Sequence, residues 1–569
     1  MPKFSPRFDS RVALSCHEYL HKKHAENLFD LSDRILEDPL VDALKKAGGE
    51  HEEKVIKYLK SLGIPYTQID RTQSDKGIEL QTLKALKDHE TKLIFGASIG
   101  PYLESELLGR EVSVRVSRPD IIVRTGTSSE DGPLWAPVDI KSHEAIDENK
   151  SNSVYVANLP ELATEKAIKV TGRLLEKDAL QLAHYLEHLK EIGFSDNTNF
   201  AAIIGKNMEK IVWADLTQTM FGIGQKSDSA VVRYAKRFNR AAVVVDKAVE
   251  RSSNPTLPAV TIPKRISGDF GCPACEFRTI CRNAMEEFGH VTLLSEVTAP
   301  KAEEHFPDIE TIETLANATG LSPFGMKSVL RANVWIDKNP QLIDQATPLA
   351  LPNFDVEIDI DLENTQAIFQ EAEFEDIPVK DSVYLYGYGI HDRTKNLDWN
   401  SAKIDYFDNY SNAEEGEVEV LTSMWNKLQE LVRQFESEGK TVGIFHYSAH
   451  EVTWWRKFAN RHQGKPGVPT TEEVDRFVAR YFVDLLTYTR KIAFPLTGYS
   501  IKTLAKAADF KWKVDDAGGG NSLIKFQTAV SKGASESKQR EAIEWLRSYN
   551  MDDVRATYAV RNYIRKLEL

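Results

Sequence analysis

The sequence predicts two α/β domains joined by a helical linker module. Its length of 569 residues exceeds what one hydrophobic core usually organises. Two separate stretches also combine the alternation of β-strands with the three- and four-residue spacing of helices. We place the first domain at residues 1–292, the linker module at 293–348 and the second domain at 349–569. Composition supports folded domains, with 41% hydrophobic and 28% charged residues.

Composition and charge exclude several classes of protein. No stretch approaches the roughly 18 consecutive apolar residues of a membrane span, and the N-terminus lacks the apolar core of a signal peptide. We therefore expect a cytoplasmic protein without a membrane partner. The net charge of −13 argues against a protein coated with nucleic acid over its whole surface. It allows an enzyme that concentrates positive charge in one groove and binds metal ions with its carboxylates.

The first domain begins with helices and continues into a sheet. Helical spacing extends over residues 23–63, with a break predicted at Gly48 and Gly49. Alternation then predicts two strands, which the turn-forming stretch TGTSSEDG joins. A helix and two more strands follow. The predicted strands are residues 111–126, 133–143, 200–205 and 210–216, and the predicted helix is 176–193.

Two carboxylates and a lysine lie on this predicted hairpin. Asp120 follows Pro119 on the first strand, and Asp139 and Lys141 stand two apart on the second, so they face the same side. Metal-assisted hydrolysis of a phosphodiester needs such a set. Asp120 and Asp139 would bind Mg²⁺ or Mn²⁺, and Lys141 would position or polarise the attacking water. A D-x-K triplet alone is also common among solvent-facing strand residues.

Further residues add to this set. Gln181 and Tyr185 stand four apart, hence on one face of the helix after the hairpin. His51, in the stretch Gly49-Glu-His-Glu52, offers one more metal ligand. In this order these residues and the hairpin motifs resemble the RecB-like nucleases of the PD-(D/E)XK superfamily over roughly residues 10–290. The resemblance implies a restriction-endonuclease-like core in which Asp120, Asp139, Lys141, Gln181 and Tyr185 are catalytic and His51 is a metal ligand.

The chain has four cysteines, and three of them lie in the stretch CPACEFRTIC. Four are too few for a disulfide scaffold in so long a chain, and clustered thiolates more often hold a metal or an iron–sulfur cluster. Iron–sulfur members of the RecB-like family carry one cysteine before the nuclease core and three after it, spaced C-x2-C-x5-C. The resemblance therefore implies a structural 4Fe–4S cluster held by Cys16, Cys272, Cys275 and Cys281. Zinc bound by four cysteines is the alternative.

The second domain begins with strands and ends with helices. Strands are predicted at residues 354–360, 382–390, 403–407 and 441–447, with a helix at 416–439. The linker module contains two short helical patterns that flank GLSPFG, which are compatible with a helical hairpin. Gly439-Lys-Thr441 is not a P-loop, because Gln434 occupies the position that requires glycine. A helicase would thus be a separate partner.

Carboxylates also recur through this second domain. Asp355 and Glu357 share one face of its first strand, where two acids repel unless a cation lies between them. Glu451 follows the predicted strand at 441–447, and Tyr549 and Asp553 stand one helical turn apart. Two points stay open. Ser448-x-x-Glu451 also fits a helix capping box, which makes Asp484 a substitute acid, and Asp552 competes with Asp553.

This order of acids resembles the DEDD exonucleases of the DnaQ and ribonuclease-H-like class, over residues 350–569. The resemblance implies that Asp355, Glu357, Glu451 and Asp553 hold two metal ions and that Tyr549 orients the attacking water. We therefore expect a Mg²⁺- or Mn²⁺-dependent nuclease, an exonuclease acting on single-stranded DNA or free DNA ends in repair, recombination or defence. Two alternatives remain: a binding scaffold with inert sites that recruits a helicase, and an RNA exonuclease that acts through the second domain.

Overall fold

The computed structural model describes most of the chain and divides it into two compact units. One unit consists of residues 1–36 and 45–281, and the other of residues 37–44 and 282–569. The described residues are 7–36, 39–111, 113–128, 132–147, 152–162, 167–195, 198–221, 227–265, 272, 275–347, 349–365, 382–395, 403–411, 414–515 and 519–567.

The first half of the chain contains both helices and strands. The helices are α1 (His17–His24), α2 (Pro39–Ser61), α3 (Asp75–Leu86), α4 (Pro101–Leu108), α5 (Glu176–Glu191), α6 (Ala230–Ser253) and α7 (Arg278–Phe288). The strands are β1 (Tyr66–Gln68), β2 (Leu93–Phe95), β3 (Ile121–Ser128), β4 (Gly132–Ile140), β5 (Ile146–Asp147), β6 (Ser153–Asn158), β7 (Ile168–Thr171), β8 (Arg173–Leu174), β9 (Phe200–Ile204), β10 (Lys210–Asp215), β11 (Met220–Phe221) and β12 (Asp228–Ser229).

The second half continues the same mixture. The helices are α8 (Ala299–His305), α9 (Ile312–Ala316), α10 (Pro323–Asp337), α11 (Glu414–Ser437), α12 (His450–Arg461), α13 (Thr471–Tyr481), α14 (Leu485–Thr489), α15 (Ile501–Ala507), α16 (Gly519–Val530) and α17 (Glu536–Lys566). The strands are β13 (Gln341–Leu342), β14 (Val356–Asn364), β15 (Val383–Asp392), β16 (Lys403–Asp408), β17 (Val442–His446), β18 (Phe482–Asp484) and β19 (Ile492–Ala493). The predicted α/β class is confirmed.

The first unit is organised around an eight-stranded sheet in the order β1-β2-β3-β4-β9-β10-β6-β7. Strands β3 and β4 form the predicted antiparallel hairpin, whose turn residues 129–131 lie outside the described residues. The first strand begins at Ile121 instead of residue 111, so Asp120 directly precedes it. Strand β4 then pairs with β9 in parallel, and α5 lies between them in the chain. Alternate residues of β9 enter the cores on opposite faces of the sheet, which explains its continuous apolar run.

Helix α2 differs from its prediction. The break predicted at Gly48 and Gly49 is wrong, because the helix continues through both glycines to Ser61. Two interior glycines cost about 2 kcal/mol relative to alanine. The buried side chains of Val55 and Leu59 pack into the core over the sheet and offset that cost. Tertiary packing therefore overrides the local propensity.

The second unit contains a five-stranded sheet in the order β16-β15-β14-β17-β18. The central strand β14 is antiparallel to β15 and parallel to β17. Its apolar residues Val356, Ile358, Ile360 and Leu362 enter one core together with α11 and α12. Its acidic residues occupy the alternate positions and so face the other side, where α17 lies. These four acids are Glu357, Asp359, Asp361 and Glu363.

Two arginines of α17 neutralise the first two of these acids. Arg561 is fully buried and contacts Asp359 through Nε at 3.2 Å and Nη2 at 2.5 Å, and it also contacts Glu357. Arg565 contacts Glu357 through both terminal nitrogens, at 2.9 and 2.6 Å. The Arg561 guanidinium also lies 4.5 Å from the Phe445 ring centroid. This end of β14 therefore carries little unbalanced charge.

The residues before β14 form a smaller helical region. Helices α8, α9 and α10 share an apolar cluster that includes Leu293, Phe306, Leu315 and Ala332. Most of this cluster lies in the range predicted to be a helical linker module, but it begins earlier, at Met285. Among the described residues, no helix combines the length and the apolar character that a bilayer crossing requires.

Removal of Arg561 should destabilise the second unit strongly. Arg561→Met leaves the buried Asp359 without its ion-pair partner and Glu357 with Arg565 alone, for which we expect a loss of about 3–5 kcal/mol in the free energy of unfolding. Urea denaturation of the full chain measures it. Adding Asp359→Asn to this variant should recover most of the loss, because Glu357 keeps Arg565 as its partner. Arg456→Met, which removes an exposed pair with Asp475, should cost no more than about 1 kcal/mol. Equal losses in both arginine variants would contradict the account.

Candidate active site

Three carboxylates of the second unit form one cluster. Asp361 and Glu363 come from the end of β14, and Asp553 comes from the buried side of α17. Each offers an oxygen, and these oxygens all lie within 4.8 Å of one another. Residues two apart on a strand share a face, so β14 presents its two acids together to the helix. The cluster thus continues the acidic row beyond the arginine pairs.

The carboxylates of this cluster hold protons more strongly than usual. Burial and the neighbouring Asp553 raise the pKa of Glu363 to about 8. Burial raises the pKa of Asp553 to about 6, although the Lys502 ammonium opposes this. Burial, Asp553, Glu363 and Glu451 hold the pKa of Asp361 well above its usual range. Burial is the largest cause of all three shifts, the neighbouring acids add to the shifts of Asp361 and Glu363, and Lys502 offsets part of the shifts of Glu363 and Asp553.

Four polar side chains lie around the cluster. Tyr549 bonds to Asp553 and receives a hydrogen bond of 2.9 Å from Nζ of Lys502. Nε1 of Trp512 donates a hydrogen bond of 2.6 Å to Oδ1 of Asp553. Asn550, one position along α17 from Tyr549, donates to Oδ2 of Asp361 at 2.8 Å. These bonds fix the orientation of two of the three acids.

The donor set fits a hard divalent cation. Mg²⁺ and Mn²⁺ prefer carboxylate oxygens, and a cation among three repelling carboxylates would favour their ionised forms. Glu451 is buried close enough to affect Asp361 electrostatically, and its carboxylate lies 3.3 Å from Nδ1 of His446. It is the fourth acid of this neighbourhood.

The structure does not bring Asp355 and Glu357 to this cluster. Asp355 precedes β14 and accepts hydrogen bonds from the backbone and hydroxyl of Thr441, at 2.9 and 2.8 Å. Glu357 is engaged by Arg561 and Arg565. The acids of the cluster lie six residues further along the chain than predicted, because the strand extends to Asn364 instead of ending at residue 360.

The open choices among the other acids find structural answers. The predicted capping box at Ser448 and Glu451 does not form, because Ser448 has a positive φ of 81° and Ala449 is the N-cap of α12. Asp484 caps α14 and accepts a bond of 2.9 Å from the Ser448 N–H. Asp552 accepts from the Lys513 N–H at 2.6 Å and from Arg555 at 2.8 Å. Asp484 and Asp552 therefore have local structural contacts outside the cluster.

The first unit holds a second group of acids around a lysine. Strand pairing places Asp120 beside Asp139, and the Ile140 N–H donates to Oδ2 of Asp120 at 2.7 Å. Lys141 forms an ion pair with Asp139. Burial, Asp139 and Glu52 hold the pKa of Asp120 well above its usual range. Burial disfavours the Lys141 ammonium, but Asp139 and Asp178 outweigh this and raise the pKa of Lys141.

The remaining predicted residues of the first unit adjoin this group. Nζ of Lys141 donates to Gln181 at 2.9 Å, and the Gln181 amide donates to the Tyr185 hydroxyl at 2.8 Å. His51 is buried, and its Nε2 lies 3.2 Å from the Gly205 carbonyl oxygen. Glu52, its neighbour, is the residue that interacts with Asp120 and Asp139. Burial is the main cause of the raised pKa of Glu52.

The four cysteines also share one neighbourhood. Cys16 is the N-cap of α1 and accepts a bond of 3.2 Å from the Tyr19 N–H. Burial raises the pKa of its thiol to about 11, and Cys275 and Cys272 add to the rise. Burial raises the pKa of Cys281 to about 12, with further contributions from Cys16 and Cys275. Such thiols lose their protons when a metal binds them, so the set fits a thiolate-bound metal or cluster.

Some residues of these sites were not predicted. Asp361, Glu363, Glu52, Lys502 and Trp512 all contact or influence an acid cluster. The continued alternation of acids through DIDLEN was the available signal for Asp361 and Glu363. Glu52 stood beside the predicted His51. Lys502 and Trp512 carry no local sequence signal, because only the tertiary fold brings them to Asp553.

Comparison with known proteins bears on the second unit. Residues 377–565 match the RNase_H_2 family model, described as RNase_H superfamily. The matched range contains Glu451, Lys502, Tyr549 and Asp553, and it begins after β14. No curated protein and no solved structure matches the chain. The second unit therefore contains an RNase H-like domain, which indicates a nuclease-type function and binding of nucleic acid.

Mn²⁺ should stabilise the protein more as the pH rises. Protons compete with the cation for Glu363 and Asp553, whose pKa values are about 8 and about 6. Without metal the folded state becomes less stable as the pH rises through those values. The reason is that an acid with a raised pKa favours the folded state only while it is protonated. The increase in melting temperature on adding Mn²⁺ should therefore grow between about pH 5.5 and about pH 8.5.

Two asparagine variants locate the origin of this effect. Asp361→Asn should remove most of the Mn²⁺-dependent increase in melting temperature. Asp355→Asn, which changes an acid just before the same strand but outside the cluster, should retain it. Loss of the effect in Asp355→Asn alone, or an increase that does not depend on pH, would contradict the assignment.

Proposed function

We propose that this protein is a Mg²⁺- or Mn²⁺-dependent exonuclease that hydrolyses DNA. The observation that carries the proposal is the cluster of Asp361, Glu363 and Asp553 beside an RNase H-like sequence match. Structural acids normally pair with cations, as Glu357 does with two arginines. Acids kept together without such pairing need another reason, and a catalytic cation provides it.

The residues of the cluster have separate roles in this proposal. Asp361, Glu363 and Asp553, with Glu451 beside them, would hold the divalent ions. When bound, these ions activate water and neutralise charge that develops on the phosphate. Tyr549 would orient the attacking water through its hydroxyl, which Lys502 and Asp553 hold in place. Lys502 contributes a positive charge next to the reacting phosphate.

A second hydrolytic site in the first unit is part of the same proposal. Glu52, Asp120 and Asp139 would bind the cation, with Glu52 in the place predicted for His51. Lys141 is held between Asp139 and Gln181, so it can orient a water or stabilise a developing negative charge. Tyr185 supports Gln181. This chemistry agrees with the RecB-like resemblance of the hairpin motifs.

Substrate and setting follow from the two sites. A chain with two phosphodiesterase sites suits the processing of DNA ends in repair, recombination or defence. The sequence lacks a P-loop, so strand separation would come from a separate helicase. Cytoplasmic DNA with single-stranded or free ends is the expected substrate.

Degradation of labelled strands tests the nuclease proposal. The full chain with Mn²⁺ should shorten single-stranded DNA labelled at its centre. Asp361→Ala should lower the rate of cleavage by the second unit by at least about 100-fold. Loss of a residue that only supports a metal ligand usually costs less. Asp139→Ala should do the same for the first unit, and Asp355→Ala should leave the rate near that of wild type.

The double variant and a second polymer separate the alternatives. If wild type and the Asp139→Ala, Asp361→Ala double variant behave identically, the protein is a binding scaffold and the proposal fails. A preference for RNA that survives Asp139→Ala but not Asp361→Ala would instead identify an RNA exonuclease of the second unit.

The four cysteines would hold a structural 4Fe–4S cluster. Cys16 caps α1, Cys272 and Cys275 precede α7, and Cys281 lies in the first turn of α7, so the cluster would join both ends of the first unit. Anaerobically purified protein should be brown, with broad absorbance near about 400 nm and about four irons per chain. Cys16→Ser should lower the iron content and the melting temperature. A colourless protein with stoichiometric zinc would exclude the cluster and leave the nuclease proposal intact.

A further inference from the structure

A cavity of about 780 Å³ in the second unit is lined by residues on either side of Trp512. Its volume lies within the range of about 300–1,000 Å³ that small-ligand sites occupy. The lining comes from α15, from the loop that follows it and from α16. These residues are Lys502, Lys506, Asp509, Phe510, Lys511, Trp512 and Asn521. Trp512 and Lys502 also belong to the surroundings of Asp553, so the cavity adjoins the carboxylate cluster.

The charge of this cavity is opposite to that of the cluster. Three lysines line it against one aspartate, in a chain whose net charge is −13. Lys502 is held by Tyr549, whereas Lys506 and Lys511 are exposed. Among the described residues, neither Lys506 nor Lys511 forms an ion pair with a carboxylate. The acid cluster would bind a metal ion, and two positively charged lysines lie in the cavity beside it. Such lysines would attract an anionic substrate toward the cluster.

The aromatic part of the cavity is held rigidly. Trp512 is half-buried, and its indole N–H is fixed by the bond of 2.6 Å to Asp553. Phe510 packs against its ring edge to face, with centroids 4.9 Å apart. Such a ring offers a flat surface on which a nucleic-acid base can stack, as in proteins that bind single strands. A paired base cannot reach it, because its faces are already covered in a duplex.

We propose that this cavity binds an unpaired nucleotide next to the scissile phosphodiester, with its base on Trp512 and a flanking phosphate between Lys506 and Lys511. The inference rests on the proposed function, because it takes the acid cluster as the place of hydrolysis. It restricts the substrate to a single strand. DNA and RNA share the chemistry that the cavity recognises, a phosphate beside an aromatic base.

Salt dependence of binding tests the lysines. The full chain is titrated with centrally labelled oligonucleotides of DNA or RNA, with Ca²⁺ replacing Mn²⁺, at several KCl concentrations. Each lost phosphate contact should lower the magnitude of the slope of log K against log [salt] by about 0.7, so Lys506→Ala, Lys511→Ala should lower it by about 1.4. The control pair Lys532→Ala, Lys538→Ala changes exposed lysines away from the cavity and should leave the slope unchanged. An equal slope for wild type and the cavity variant overturns the proposal.

Abasic oligonucleotides test the stacking surface. An abasic site is placed at the 5′ end of one oligonucleotide and at the 3′ end of another. At the end whose base stacks on Trp512, it should weaken binding to wild type by about 5- to 150-fold, the usual effect of losing one stacked base. Trp512→Leu should bind intact and abasic strands equally. Trp512→Phe, which keeps a ring, should still prefer the intact strand. Equal binding of both strands by wild type overturns the stacking, and melting temperatures verify that each variant is folded.

These measurements do not depend on hydrolysis. If strands bind as described but Mn²⁺ supports no cleavage, the nuclease proposal fails and the binding site stands. If cleavage proceeds in wild type while Lys506→Ala, Lys511→Ala leaves the salt slope unchanged, this inference fails alone. The polymer that binds more tightly identifies the preferred substrate.

Discussion

The row of four acids on β14 is the constraint on which the second unit depends. Alternation places Glu357, Asp359, Asp361 and Glu363 on one face, and α17 covers that face. Buried acids in such a row need compensating charge. Helix α17 supplies two arginines at one end of the row and, at the other end, one more acid, Asp553. The same helix therefore both secures the strand and leaves an acidic site open to a cation.

The two acidic sites of the chain share a composition. Each combines three carboxylates, a lysine and a buried tyrosine, although their elements differ. In the first unit the lysine pairs directly with an acid, Asp139, and so balances part of the charge. In the second unit Lys502 contacts Tyr549 instead. Acids of both sites have raised pKa values. The second site therefore has the greater need of a metal ion. The neighbouring Lys506 and Lys511 offer a place for a phosphate of the substrate.

Much of this architecture follows from periodicity. The four strands predicted in the second unit, three of the four predicted in the first unit and helix α5 lie close to where alternation and helical spacing placed them, whereas β1, β2, β6, β7 and β18 were not predicted. Which pair of acids forms the cluster was harder to predict, because Asp355-x-Glu357 and Asp361-x-Glu363 satisfy the same local pattern. Arg561 and Arg565, about 200 residues away in sequence, decide between them. Local rules also failed at Gly48 and Gly49, where core packing continues the helix, and at Ser448, where the backbone leaves the geometry of a cap.

Crystals soaked in Mn²⁺ provide the most direct measurement of the central claim, that α17 divides the acidic row into a neutralised half and a cation-binding half. Anomalous difference density identifies manganese without reference to activity. We predict a peak with carboxylate oxygens of Asp361, Glu363 and Asp553 at about 2.1 Å. A peak bound by Asp355 or Glu357, or no peak at the cluster under conditions that saturate other sites, would contradict it.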